Sequence, residues 1–182
     1  MESSTTELYK TNFDGGMFNE SSEAGIGVVI RNCKREIMVA LSEKIHKTQF
    51  VVALEMLAAR RAVLFACECG IQQSSFEGDS EFVINSLRHG GLLHSSVGHL
   101  LQDTMFDASS LWRISFSHVC RQGNSVAHAL AQRARLSFSI VVWMESIPPN
   151  INSLLCQIFC PLSNKAYTYS FSKKKKDSAC EI

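Results

Sequence analysis

Three carboxylates, Asp14, Glu55 and Asp79, stand where this chain should least tolerate charge. Asp14 lies inside one strand-like stretch, Glu55 on the apolar side of a helix-like stretch, and Asp79 where another strand should end. A lone buried carboxylate must lose its charge or find a partner. Several that converge can instead share a divalent cation that neutralises them together. The chemistry open to them is metal binding, on condition that the fold brings them to one point.

Each of the three also has a plainer reading. Around Glu55, the positions three, four and seven away are Val51, Val52, Ala58, Ala59 and Ala62, all apolar, so its side of the helix should face the protein body. The alternative is a rim position from which Glu55 snorkels to water. Asp is disfavoured in strands, yet Asp14 precedes Gly15-Gly16 and would also suit an ordinary Asp-Gly turn. In the functional reading those glycines let a phosphate backbone approach the main chain. Asp79, at a strand-to-helix junction, could be no more than a helix cap.

The elements that must position these groups can be read along the chain. Tyr9 to Gly15, Ala24 to Arg31 and Ile37 to Ile45 read as three antiparallel strands, the last two separated by the polar turn Asn32-Cys33-Lys34-Arg35. The period then changes to about 3.6 for a helix from about Gln49 to Cys69, with Gly70 as its stop. Ser74 to Gly78 makes a short strand, and Asp79 or Ser80 caps a helix carrying Phe82, Val83 and Leu87 that ends at Gly90-Gly91. A helix over Val97 to Ala108, a strand over Leu111 to Cys120 and a helix over Asn124 to Leu136 follow. Hairpins require antiparallel pairing and helical crossovers parallel pairing. The expected fold class is therefore α/β, with a mixed five-stranded sheet flanked by helices. From Trp143 the pattern weakens, Pro148-Pro149-Asn150 breaks structure, and no internal repeat is visible.

Composition narrows the alternatives. The 182 residues suffice for one domain with a modest extension, and the apolar fraction of 46% with 19% charged residues is that of a globular protein. No apolar run nears the roughly 20 residues that span a bilayer. Met1 to Lys10 lacks the apolar stretch of a secretory signal, which places the chain inside the cell, in nucleus or cytoplasm, and makes its seven cysteines free thiols. Their spacing contains no paired CxxC. A net charge of +1 gives too weak a field to attract nucleic acid, so such binding needs a local basic patch or bound metal.

Five separated blocks resemble the ribonuclease H family, in its plant reverse-transcriptase-like, retroelement-derived branch. They are Asn12-Phe13-Asp14-Gly15-Gly16, Ala24-Gly25-Ile26-Gly27-Val28-Val29-Ile30-Arg31, Leu54-Glu55-Met56-Leu57-Ala58-Ala59-Arg60-Arg61-Ala62 and Phe76-Glu77-Gly78-Asp79-Ser80, followed by Ser117 to Ala131. The likeness spans residues 8–155, including Val142-Trp143-Met144-Glu145, and leaves 156–182 as a loosely held extension. It implies an endonuclease that cuts the RNA strand of RNA–DNA hybrids with two Mg²⁺ ions, Mn²⁺ being the alternative. Asp14, Glu55 and Asp79 would be the metal ligands. Gly15, Gly16, Ser80, Arg121 and Asn124 would contact substrate, although basic and polar residues on a surface loop are often merely solvated. Recognition would rest on 2′-hydroxyls and so depend little on sequence. A monomer is expected, with no membrane partner.

The chain departs from that pattern at one position. The family's fourth acidic ligand falls on His128, and imidazole is a poor Mg²⁺ ligand, though it suits softer ions and can move protons near neutral pH. His128 is either a catalytic residue or a solvated one in the first turn of its helix. A nucleic-acid-binding module that has lost turnover is thus the alternative to a nuclease. His118, in a strand, is assigned a packing role. Gly25-Ile26-Gly27 lacks the third glycine of a dinucleotide fingerprint, and Asn19-Glu20-Ser21 is a glycosylation acceptor only for a secreted chain. Lys173 to Lys176 reads as a flexible basic tail, with a nuclear address as the alternative.

Overall fold

Three apolar, β-branched stretches joined by tight turns form β1 (Tyr9–Met17), β2 (Glu23–Arg31) and β3 (Ile37–His46). The computed structural model describes residues 8–91, 95–136, 139–148 and 150–151. The expected extension 156–182, the lysine run Lys173 to Lys176 and the last cysteines therefore lie outside the described residues. Helix α1 (Val51–Glu68) follows, then β4 (Gln73–Gly78), α2 (Glu81–His89), α3 (Gly98–Ala108), β5 (Arg113–His118), α4 (Ser125–Arg133) with one 3₁₀ turn (Ala134–Leu136), and β6 (Ile140–Met144). Gly70 and Gly90, both at φ +72°, terminate α1 and α2 in the left-handed conformation that glycine adopts without strain.

The sheet runs β5-β4-β1-β2-β3-β6. β1 pairs in parallel with β4, and β4 with β5, while β1, β2, β3 and β6 are joined antiparallel, so the sheet is mixed as expected. It has six strands rather than five. Ile140–Met144 pairs with Val39–Glu43, where the sequence offered five consecutive apolar residues without alternation just before a double proline. Exposure does alternate along this edge strand, but its exposed positions Ile140, Val142 and Met144 are themselves apolar, which is why residue type hid the period of two.

The two faces of the sheet are covered unequally. Phe13, Ile26, Val28, Ile30 and Leu41 pack against α1, α2 and α3 in the larger core. On the opposite face Val29 and Ala40 meet Val126, Ala127 and Leu130 of α4, together with Ile147 and Ile151. Helix α4 lies unusually close to the sheet. A Cβ at Gly27 would stand 2.1 Å from the Ala127 carbonyl oxygen, and one at Gly25 2.0 Å from that of Ala131. The Ser42 hydroxyl, opposite Gly27 in the ladder, donates to the Leu130 carbonyl at 2.7 Å and ties the helix down. The Gly25-Ile26-Gly27 pair is therefore a helix seat.

Because the clash at Gly27 is with backbone, it cannot be relieved by a side-chain rotation. Gly27→Ala should lower stability by about 2–4 kcal/mol, read by urea or thermal unfolding, whereas Gly91→Ala, which meets nothing within 4 Å, should be nearly silent. Equal effects at the two positions would contradict this packing.

Candidate metal centre

The parallel ladder between β1 and β4 ends at Asn12↔Glu77, while β1 continues to Met17 against β2 alone. The two strands part there, beyond the carboxyl ends of parallel strands, the place where sheets of this kind collect ligands. Asp14 stands two residues past the last rung, Asp79 immediately after β4, and Glu55 enters from the second turn of α1. One oxygen from each lies within 4.8 Å of the others. The three sequence candidates are thus brought together, with Asp14 at 2% exposure and Glu55 at 9%. The rim reading of Glu55 is excluded, although Val51, one turn earlier, is exposed rather than packed.

Local interactions explain how each group is held. Ser80 caps α2 by accepting from the Val83 amide at 3.4 Å, which frees the Asp79 carboxylate from capping. A hydrogen bond from the Gly15 backbone reaches Glu55. Gly15 and Gly16 do not form an open shelf for phosphate, because a Cβ on Gly15 would meet Leu54 at 2.7 Å and one on Gly16 would meet Gln132 at 2.7 Å. Their smallness lets helices approach β1. Asn124 is likewise buried at 1% exposure, and its amide donates to the Phe13 carbonyl at 2.9 Å and accepts from Asn12 at 3.2 Å. It pins the start of α4 to β1 and has no surface to offer a phosphate. Arg121 is exposed, and its charge is felt at both Glu55 and His128.

His128 is not a bystander on its helix. Its Nδ1 lies 2.6 Å from Asp14 Oδ2, so the residue that the resemblance puts at the fourth acidic position is bonded to the most buried carboxylate of the cluster. His118 is exposed at the end of β5, contrary to the packing role expected of it, and its Nε2 sits 3.1 Å from the Asp79 carbonyl. With the Val119 amide on the Gly78 carbonyl at 3.0 Å, it fastens the turn that carries Asp79.

A polar network absent from the sequence reading supports β1 from beneath. Arg31, itself 5% exposed, donates to Asn12 Oδ1 at 2.5 Å and faces Glu77 at 3.6 Å, and Lys10 closes on Glu77 at 2.7 Å. Asn12 and Glu77 each stand two residues before a cluster carboxylate, so period two would have flagged both.

The electrostatics are those of crowded, poorly solvated acid. Burial, then repulsion from Asp14 and Asp79, pushes the Glu55 carboxyl up to about 8, against the Gly15 hydrogen bond and Arg121. Burial also raises Asp14 despite its bond to His128, with Asp79 adding repulsion. The bond to Asp14 raises the His128 imidazole, and burial opposes it. Three oxygen donors with surplus negative charge fit a hard divalent cation such as Mg²⁺, which Asp14, Glu55 and Asp79 would hold. Among the described residues no disulfide joins Cys33, Cys67, Cys69 and Cys120, and no helix is long and apolar enough to cross a membrane.

Since Glu55 binds its proton more tightly folded than unfolded, the folded state carries more protons between about pH 4.5 and about pH 8, and stability falls as pH rises through that window. In metal-free buffer the slope from Glu55 should reach at most about 1.4 kcal/mol per pH unit. Glu55→Gln should match the wild type near the low end and exceed it near the high end. A pH-independent difference in Tm between the two proteins would refute the repulsion described here.

Comparison with known proteins agrees with this fold. Residues 12–134 match the family described as reverse transcriptase-like. No curated protein matches the chain in sequence. Among solved structures it is similar to RNase H1 from the halophilic archaeon Halobacterium salinarum NRC-1, with TM-score 0.65 and 22% identity over 70% of this chain and 97% of that one. The N-terminal RNase H domain of a Mycobacterium tuberculosis protein, solved as a fusion with maltose-binding protein, gives 0.63 and 21% over 70% and 93%. LC11-RNase H1, isolated from compost by a metagenomic approach and solved with an RNA/DNA hybrid, gives 0.59 and 24% over 71% and 99%. The chain belongs to the reverse transcriptase-like family and has the RNase H-like fold.

Proposed function

We propose that this protein is a divalent-metal-dependent endonuclease that hydrolyses the RNA strand of RNA–DNA hybrids. The observation that carries the reading is the convergence of Asp14, Glu55 and Asp79 within 4.8 Å at the parting of β1 and β4. A neighbour of the same fold solved with an RNA/DNA hybrid supports the substrate class. A divalent ion in such a centre polarises phosphate and lowers the pKa of bound water. Asp14, Glu55 and Asp79 would hold that ion. Arg121, exposed and near enough for its charge to act on Glu55, would meet a further phosphate charge. Ser80 and His118 keep the Asp79 turn in place through its cap and its carbonyl. Readout of 2′-hydroxyls rather than base edges would make cutting largely indifferent to sequence.

The bond between His128 and Asp14 favours a second reading, a nucleic-acid-binding module of the same fold with impaired turnover. It keeps the carboxylate cluster and places a base where the family pattern has an acid. Labelled RNA–DNA hybrid incubated with the full chain in Mg²⁺ and in Mn²⁺ separates the two. The nuclease reading expects metal-dependent cutting of the RNA strand, with Asp14→Asn slower by at least about 100-fold, since even outer-shell partners of a metal are worth about 10–100-fold. Retention of hybrid without cutting in either ion would leave only the binding module.

A further inference from the structure

We propose that the centre takes one divalent ion rather than two, because His128 occupies the second ion's place. The inference rests on the metal reading of the cluster given above. A two-ion centre, with ions about 3.5–4 Å apart, needs a carboxylate that can give one oxygen to each. Asp14 is the group placed for it, since it is the most buried of the three and within reach of both Glu55 and Asp79. Its Oδ2 is already engaged by His128 Nδ1 at 2.6 Å. An N–H at that distance fills the space on the α4 side of Asp14 and presents a donor where an ion needs a lone pair.

The donor set leads to the same count. A fourth carboxylate would supply further oxygens for a second hard ion, and His128 supplies none. Among the described residues no other acid joins the cluster, and Glu77, the next carboxylate along β4, is 5% exposed and committed to Lys10 at 2.7 Å and to Arg31 at 3.6 Å. The position of His128 is itself rigid. Gly27 stands opposite Asp14 in the ladder and seats the α4 backbone directly on the sheet, while Asn124 fastens the helix start to Phe13. The backbone that carries His128 is therefore held in place relative to Asp14.

The test counts Mn²⁺ bound to the full chain by calorimetric titration and by loss of the free-ion paramagnetic resonance signal, with and without a hybrid carrying non-hydrolysable RNA linkages. The wild type should bind one ion under both conditions, and His128→Asp should bind two. His128→Glu serves as a second acid should the shorter one disturb folding, which a melting curve reports. Two ions on the wild type would overturn this inference and leave the metal reading intact. Variants that fold and still hold one ion would show that His128 is not what excludes the second. Absence of binding that Asp14→Asn abolishes would end the metal reading, and this inference with it.

Discussion

Repulsion among carboxylates withdrawn from water is the constraint on which this structure turns. Asp14, Glu55 and Asp79 come from two strand ends and a helix, and each would be stabilised by moving away from the others. They stay together because each is attached to an element held by apolar packing elsewhere. Leu54 and Met56 flank Glu55 in α1 and are fully buried, and Phe13 precedes Asp14 at 1% exposure. The hydrophobic core thus supplies the free energy that holds like charges close, and a cation is the natural relief.

The second consequence concerns α4. Helices ordinarily rest on sheets through side chains, but here Gly25 and Gly27 let the α4 backbone touch β2. The closeness brings His128 to Asp14 across the ladder from Gly27. Two glycines in a strand interior weaken that strand, and the contact recovers the loss through helix packing and the Ser42 bond. The same geometry brings His128, half-buried, into contact with the cluster.

Beneath the cluster, the Lys10, Glu77, Arg31, Asn12 and Asn124 network gives β1 and β4 a polar foundation. Buried ionic groups of this kind add little net stability over apolar replacements, but they fix register, since any slip would leave an uncompensated charge. Register matters at this point, because one residue of displacement would turn Asp14 to the opposite face.

Much of this was legible in the sequence. Periodicity located β1 to β5 and all four helices to within a few residues, and the mismatch between charge and apolar surroundings singled out Asp14, Glu55 and Asp79. Such signals are local, since they depend on which neighbours a residue has along its own strand or helix. What only the tertiary structure decided is non-local: that β1 and β4 part after Asn12↔Glu77, that Ile140–Met144 adds a sixth strand, and that Gly15, Gly16 and Asn124 serve packing. The partner of His128 belongs to the same class, lying 114 residues away in the chain. Sequence states what each side chain can do; which atoms lie opposite it follows from how helices and strands close on one another, and no single element carries that information.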